Sequence, residues 1–371
     1  MTSRVTSLLR LLLINGAVFL ALLLLAELAL RLLGIARPAF YRFDAGRGFA
    51  HRPGAEGWWT REGRGWVHIN RAGFRDDDHP STAAPGTLRL AVLADSFGEA
   101  FQVNLADTWW KGLQRQLAAD RACALRQGFA GGVEVMNFGT GAYGTGQELL
   151  TWRQAVRPLR PDVVLLAVYL GNDIDDNTPR PRDDRPVFRL DGRGRLQQDD
   201  GFLQSPASRF RRSPMGKLSD WLVAHSRLAQ LLNAVKNRPQ VAAPATEGPP
   251  LVPPPAEEGW AVTAALLRQL RDEVTATGAR LIVTSLTSPE QVWPDPQRRP
   301  ADPFVLERRL AAILRPLEVT YLPLGPQLQR QADRQGLLLH GFRRQQPGIG
   351  HWNTTGHRLA AAALAADLCR P

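Results

Sequence analysis

Lysine is almost absent from this chain: Lys111, Lys217 and Lys236 are the only three in 371 residues. The net charge of +11 is therefore an arginine charge, and the arginines are scattered rather than gathered on a basic helix with interleaved aromatics. A clustered basic face is the footprint of nucleic-acid binding. Its absence argues for no nucleic-acid partner, and an arginine-rich surface is equally suited to acidic lipid or acidic polysaccharide. Cysteine is as scarce, with only Cys123 and Cys369. No CxxC, HxH or HExxH spacing occurs, so no metal and no other cofactor is expected. The Walker and Rossmann glycine patterns are missing too, which argues against a phosphate-cradling loop. No internal repeat is present. Two cysteines fit a protein outside the reducing cytosol without demanding one.

Charge is missing altogether from Leu11 to Ala26, a leucine-dominated run. If Glu27 and Arg31 are tolerated at its edge the run reaches Leu33, about 23 residues, enough for a helix to cross a bilayer core of about 30 Å. A cleaved signal peptide and a buried core helix are the competing readings. The run is long for a signal and no small-x-small cleavage site stands out, so an uncleaved single-pass anchor is expected over residues 1–36. Arginines lie on both sides (Arg4 and Arg10, then Arg31, Arg37 and Arg42), so the positive-inside rule does not decide orientation.

The whole chain is 44% hydrophobic and 22% charged, enough apolar material for a sizeable core. Residues 37–86 form a Gly- and Arg-rich lead-in, with a possible hairpin from Gly57 to Asn70. From residue 87 to 371 strand and helix signals alternate. Strands are expected at Leu88–Leu93, Val133–Met136, Asp162–Val168, Arg280–Leu286 and Glu318–Leu322. Helices are expected at Asp107–Ala119, with Asp107 as N-cap, then at Gln147–Leu159, Glu258–Ala276, Pro303–Leu314 and Thr354–Leu368. This order predicts a parallel sheet covered on both faces, and the unbroken DVVLLAV run suits a strand buried on both sides. An insertion at about 174–257 contains a helix near Lys217–Val235, packed on the main domain, acting as a mobile lid or lying on a membrane, and a proline tract from Pro239 to Pro255 that favours an extended linker.

In sheets of this kind ligands bind beyond the carboxyl ends of the strands, and the chemistry-bearing residues fall there. Ser96 follows the first strand in Ala94-Asp95-Ser96-Phe97-Gly98. The second strand runs into Asn137-Phe138-Gly139-Thr140-Gly141-Ala142-Tyr143-Gly144, a loop able to offer backbone N–H groups. The third ends in Leu170-Gly171-Asn172-Asp173. Near the C-terminus His351 stands in Gly350-His351-Trp352-Asn353-Thr354, just before the last helix, which Asn353 or Thr354 caps.

These four ordered blocks resemble the SGNH hydrolase (GDSL-like) superfamily, over about residues 65–370. The lead-in Ile69-Asn70-Arg71-Ala72-Gly73-Phe74-Arg75-Asp76 is similar to that of its bacterial, membrane-anchored, envelope-associated branch. The resemblance implies a flavodoxin-like three-layer αβα fold with a mostly parallel five-stranded sheet. It implies Ser96 as nucleophile and His351 as general base. The oxyanion hole would be the Ser96 and Ala142 amides and the Asn172 side chain, with Asp95, Gly141, Gly171 and Asn353 in support. Alanine at 142 replaces the usual glycine, acceptable if its φ is negative. The aspartate normally three residues before the histidine is Gly348 here. Either a main-chain carbonyl near Gly348 receives the imidazole N–H, or an acid arrives from elsewhere in the chain.

The function implied is an ester hydrolase or O-acyltransferase acting on short acyl, chiefly acetyl, esters of envelope or exported polysaccharide, with its domain outside the cytoplasm. The alternatives are a degenerate glycan-binding member of an export or assembly complex, and a lipid esterase. A structural anchor working through the insertion is a further reading. In the implied fold the first and last helices of the sheet domain share a face, so Cys123 and Cys369 are either a disulfide, which needs Cα atoms within about 7 Å, or two unrelated thiols.

Overall fold

The computed structural model describes residues 2–236, 255–342 and 347–370. Most of the proline tract lies outside the described residues. The chain divides into two compact units, one of residues 1–40 with 210–241 and one of residues 41–209 with 242–371.

The smaller unit is built on α1 (Thr2–Leu32), whose stretch Val5–Leu32 is long and apolar enough to cross a membrane. The larger unit begins with two hairpins, β1 (Tyr41–Asp44) with β2 (Gly48–His51) and β3 (Glu56–Trp59) with β4 (Gly65–His68). The second is the expected hairpin. The first is an addition, too short and too polar to read from alternation. After them come β5 (Thr87–Ala94), the one-turn α2 (Ser96–Glu99), α3 (Trp109–Ala119), α4 (Arg121–Gln127), β6 (Gly132–Asn137), α5 (Thr145–Thr151), β7 (Val163–Tyr169) and the short α6 (Asp173–Asp176).

The insertion holds another unforeseen hairpin, β8 (Val187–Leu190) with β9 (Leu196–Asp199), then α7 (Pro206–Arg212). Its expected single helix is two, α8 (Pro214–His225) and α9 (Arg227–Lys236), which belong to the smaller unit with α1 rather than to the sheet domain. The chain closes with α10 (Glu257–Thr275), β10 (Arg280–Leu286), α11 (Val305–Leu314), β11 (Thr320–Pro323), α12 (Gly325–Gln335) and α13 (Thr354–Leu368). The polar sequence of α12 hides it: Leu328 and Ala332 are its buried apolar side chains.

The main sheet is fully parallel in the order β11-β10-β7-β5-β6. Alternation splits its side chains between two cores. Leu90, Val92 and Ala94 of β5 with Val163, Leu165 and Ala167 of β7 face α3 and α13. Ala91 and Leu93 with Val164, Leu166 and Val168 face α10 and α11. Each face buries its own apolar set, as a sheet covered on both sides requires. In chain order the strands read 2-1-3-4-5, the flavodoxin-like arrangement, whose reversal point lies between β5 and β7.

The gap between helix pattern and helix geometry shows at Gln147–Leu159. The α-helix stops at Thr151, and a wider turn over Trp152–Val156 and a 3₁₀ turn over Arg157–Leu159 complete the segment. At the start of α3 the residue before the first helical position is Thr108, and Asp107 sits in the preceding 3₁₀ turn rather than capping.

Cys123 of α4 and Cys369, at the C-terminal cap of α13, form a disulfide with Cα atoms 5.1 Å apart. The bridge closes a separation of 246 residues. By chain entropy a loop of this length removes on the order of 5 kcal/mol of denatured-state freedom. Cys123→Ser is therefore expected to lower the free energy of unfolding by several kcal/mol, measured by urea titration. An unchanged midpoint would show that the native geometry cancels the gain.

Candidate active site

Because β6, β5 and β7 are neighbours, the loops after them meet at one sheet edge. Ser96 opens the loop after β5, Ala142 lies in the loop after β6 and Asn172 follows β7. His351 comes from the other end of the chain. Its main chain is locked by Gly341 N to His351 O (2.9 Å) and Asn353 N to Leu339 O (2.9 Å). The next side chain, Trp352, is fully buried and donates its indole N–H to Thr287 Oγ1 (2.7 Å). Asn353 then caps α13, its Oδ1 accepting from the amides of Thr355 and Gly356.

This framework sets His351 Nε2 2.8 Å from Ser96 Oγ. On the far side of the ring Nδ1 lies 2.6 Å from Glu62 Oε2, and the His351 amide donates to Glu62 Oε1 at 2.7 Å. Glu62 stands in the turn between β3 and β4. It is the acid that the His351 segment lacks, supplied from 289 residues upstream. The carbonyl alternative near Gly348 is not what the ring meets, and the Gly348 amide itself donates to His340 O. A spacing rule tied to the histidine is blind to such a partner. One local reason for glycine at 350 is visible: a Cβ there would sit 2.3 Å from Glu62 Oε1, and φ is +85°.

A carboxylate on Nδ1 fixes the proton there and leaves Nε2 as acceptor. The single Ser96 hydroxyl proton then has two claimants, the imidazole at 2.8 Å and Asp95 Oδ2 at 3.3 Å, and the shorter contact favours the imidazole. Burial alone would depress the His351 pKa, but the hydrogen bond and charge of Glu62, with the fields of Asp95 and Glu99, hold it above its ordinary value. Burial would raise Glu62, yet its bonds to His351 keep it low. His340 beside them is a neutral structural histidine, pushed down to about 4 by burial, its Nδ1–H donating to Gly350 O at 2.7 Å.

Asp95 accepts from the Phe97 amide at 2.9 Å and so shapes the turn carrying Ser96. It is fully buried, which raises its pKa to about 6 against the pull of that amide. Glu148 and Asp173, buried in its field, are pushed up as well by burial and mutual repulsion.

The loop after β6 is tied down from several sides. The Gly141 amide donates to Glu99 Oε1 at 2.8 Å, so it is already engaged. Glu99 also accepts from the Tyr41 hydroxyl and pairs with His51 Nε2 at 2.6 Å, which links the loop to the first hairpin. Arg185 of the insertion donates to Ala142 O, and the buried Tyr143 hydroxyl donates to Phe49 O. Gly139 packs its backbone on Gly98, where a Cβ would lie 2.4 Å from the Gly98 carbonyl carbon.

Held this way, Ala142 adopts φ +59°, which corrects the expectation of a negative φ. A left-handed alanine costs about 1–2 kcal/mol, and it persists because its neighbours over-determine it. Ala142→Gly is accordingly expected to raise stability by up to about 1 kcal/mol, once the larger unfolded-state entropy of glycine is subtracted. Thermal unfolding measures this, and a lowered melting point would refute the strain.

Neither the Ser96 nor the Ala142 amide meets an acceptor among the described residues. The Asn172 side chain is turned to Asp176, its Nδ2 donating to Oδ2 at 2.8 Å, which uses one of its two N–H groups. Gly171 lies against the Tyr169 ring, where a Cβ would come within 2.6 Å.

The lead-in motif has a structural task that its sequence did not disclose. Arg75 is fully buried and donates to the carbonyls of Glu99, Ala100, Val103 and Trp66, clamping the segment after Ser96 to β4. Asp76 accepts from the Asn137 amide at 2.8 Å and pairs with Lys111 at 2.6 Å.

No protein-family model and no curated protein matches the chain. Similar solved structures exist at low identity. A variant of an acetyl xylan esterase from Geobacillus stearothermophilus is 12% identical over 78% of this chain and 97% of its own, with a TM-score of 0.41. Another acetyl xylan esterase is 9% identical over 76% and 99%, with a TM-score of 0.40. A Desulfitobacterium hafniense protein described as lipolytic and of the G-D-S-L family is 11% identical over 75% and 98%, with a TM-score of 0.37.

Proposed function

We propose that this chain is a serine ester hydrolase or O-acyltransferase of the SGNH kind, held at a membrane by α1 and acting on short acyl esters, chiefly acetyl, of an envelope or exported polysaccharide. One observation carries the catalytic part: a hydroxyl, an imidazole and a carboxylate in bonding sequence, Ser96 to His351 to Glu62, at 2.8 and 2.6 Å. Ordinary packing does not call for this chain of contacts at the carboxyl ends of β5 and β7, where such sheets bind ligands.

The chemistry follows from that order. His351 Nε2 takes the Ser96 proton as Oγ bonds to the ester carbonyl carbon. The carbonyl π electrons move onto oxygen, where the free Ser96 and Ala142 amides, with the second Asn172 N–H, are suited to receive the charge. Collapse breaks the C–O bond to the alcohol, which leaves with the proton from Nε2. Water or a second hydroxyl then attacks the acyl-serine with His351 again as base. Water yields a carboxylic acid, and an acceptor hydroxyl yields a new ester. Glu62 holds the reactive tautomer and stabilises the imidazolium.

The acetylated polysaccharide is what the sequence resemblance implies. The Cys123–Cys369 disulfide is compatible with an oxidising compartment for this domain. The full set of an acid, a base and a nucleophile favours turnover over a binding-only role. Incubation of the purified chain with a fluorophosphonate probe should label Ser96 covalently, and acetate should be released from acetylated glycans. Unlabelled protein with intact p-nitrophenyl acetate after prolonged incubation would overturn the enzymatic reading.

A further inference from the structure

The smaller unit contains an arrangement that the ester chemistry does not use. Glu27 sits at the end of the charge-free run of α1, and an acid on an apolar helix is costly unless it is paired. Its carboxylate is fully engaged. It accepts from Ser226 Oγ (2.8 Å), the Arg227 amide (3.0 Å), the Leu228 amide (2.9 Å) and Arg31 Nε (2.7 Å). Arg31 also donates to His225 O at 2.6 Å. Glu27 thus caps the first turn of α9, where a negative charge is favoured. It fastens the break between α8 and α9 to one level of α1.

That level is defined by the helix itself. Leu11 to Ala26 spans about 24 Å at 1.5 Å per residue, most of a hydrocarbon core. Glu27 therefore falls at the edge of the apolar layer, and the C-terminal end of α8, whose His225 carbonyl accepts from Arg31, lies beside it. At about 100° per residue, Met215, Leu218, Trp221 and Leu222 of α8 fall within an arc about 120° wide. They are 65%, 50%, 56% and 41% exposed, an apolar stripe left bare among the described residues. Leu232 and Val235 of α9 are exposed as well, at 63% and 60%. Residues 211–236 carry five cations, Arg211, Arg212, Lys217, Arg227 and Lys236, against the single acid Asp220.

We propose that α8 lies in the headgroup layer of an anionic bilayer, apolar stripe inward, pinned at that depth by Glu27. A tryptophan on the stripe and basic residues beside it are the features of an interfacial helix. The inference rests on α1 being an anchor and goes beyond it, since an anchor alone needs no second, parallel contact with lipid.

The test uses the full chain in phosphatidylcholine vesicles with and without phosphatidylglycerol. The native cysteines are paired, so single cysteines introduced by Leu218→Cys, Leu222→Cys, Lys217→Cys and Phe19→Cys accept a spin label selectively. Labels at 218 and 222 should be several-fold better protected from a water-soluble nickel chelate than the label at 217. The contrast should grow when phosphatidylglycerol is present. Equal exposure at 217, 218 and 222 while position 19 stays protected overturns this inference and leaves the anchor standing. A contrast indifferent to lipid charge also overturns it, and points instead to a protein cover. A water-accessible label at 19 removes the anchor and the inference together.

Discussion

Ser96→Ala is expected to lower kcat/KM for an acetyl ester by roughly 10⁴-fold or more, which is about 5 kcal/mol of transition-state stabilisation. The loss should be nearly all in kcat, because the hydroxyl forms the bond that breaks the ester rather than holding the substrate. The fold should survive. Among the described residues the half-buried Ser96 hydroxyl has two side-chain neighbours for its one proton, His351 and Asp95, and the turn beneath it is held by Asp95 accepting from the Phe97 amide. Melting temperature should move by no more than a few degrees, and fluorophosphonate labelling should vanish. If the variant keeps more than about a hundredth of the activity, the remainder exceeds what an oxyanion hole and binding leave behind in a disabled serine site, and the nucleophile is elsewhere.

Glu62→Gln should produce the second large effect, a fall in kcat of roughly 10²- to 10⁴-fold, by analogy with loss of the carboxylate in serine–histidine–acid sites. Its signature is in the pH profile. His351 acts as base only when neutral, so activity falls as pH drops through the ring's pKa. Glu62 helps to hold that pKa above the ordinary histidine value. The wild-type acidic limb is therefore expected above the ordinary value, and removing the charge should move the limb to lower pH even as the maximum rate falls. A carboxamide also offers one acceptor oxygen where the carboxylate meets both the His351 amide and Nδ1, so a modest loss of stability accompanies the change. Glu62→Asp keeps the charge but shortens the reach, and should recover part of the rate with the limb near its original position. An unshifted limb in Glu62→Gln would mean that the carboxylate holds the hairpin in place and nothing more.

The two variants separate roles that a single activity measurement would merge. In the proposed mechanism Ser96 exchanges covalent bonds. Glu62 acts through His351 and is a positioning residue, so the pH profile is what it must move.

Much of the sheet domain is legible in the sequence. The limits of β10 and α13 were read correctly to the residue, and those of β5, β6 and β7 to within one residue at each end. A strand buried on both faces and a helix with one buried face leave periodic marks within a few consecutive residues. Ser96 and His351 were legible for a related reason, since each sits in a short run next to a strand end or a helix cap. What failed to show was whatever depends on residues distant in sequence. Glu62 is one acid among 35 in the chain, in a glycine-rich turn like many others. Only the parallel order of β6, β5 and β7 and the seating of the β3–β4 hairpin bring it to the imidazole. The left-handed Ala142 and the buried Arg75 are of the same kind, because each is imposed by contacts made across the fold.

The amino-acid order by itself determined the alternation of strands and helices, the apolar N-terminal helix and the candidate pair Ser96 and His351, since these are written in local pattern. Tertiary structure alone decided which carboxylate completes the pair, that Cys123 meets Cys369, and that the insertion helices fasten to Glu27 of α1. Each of those joins groups separated by about 200 residues or more, and contacts at that range depend on how the whole chain folds back on itself.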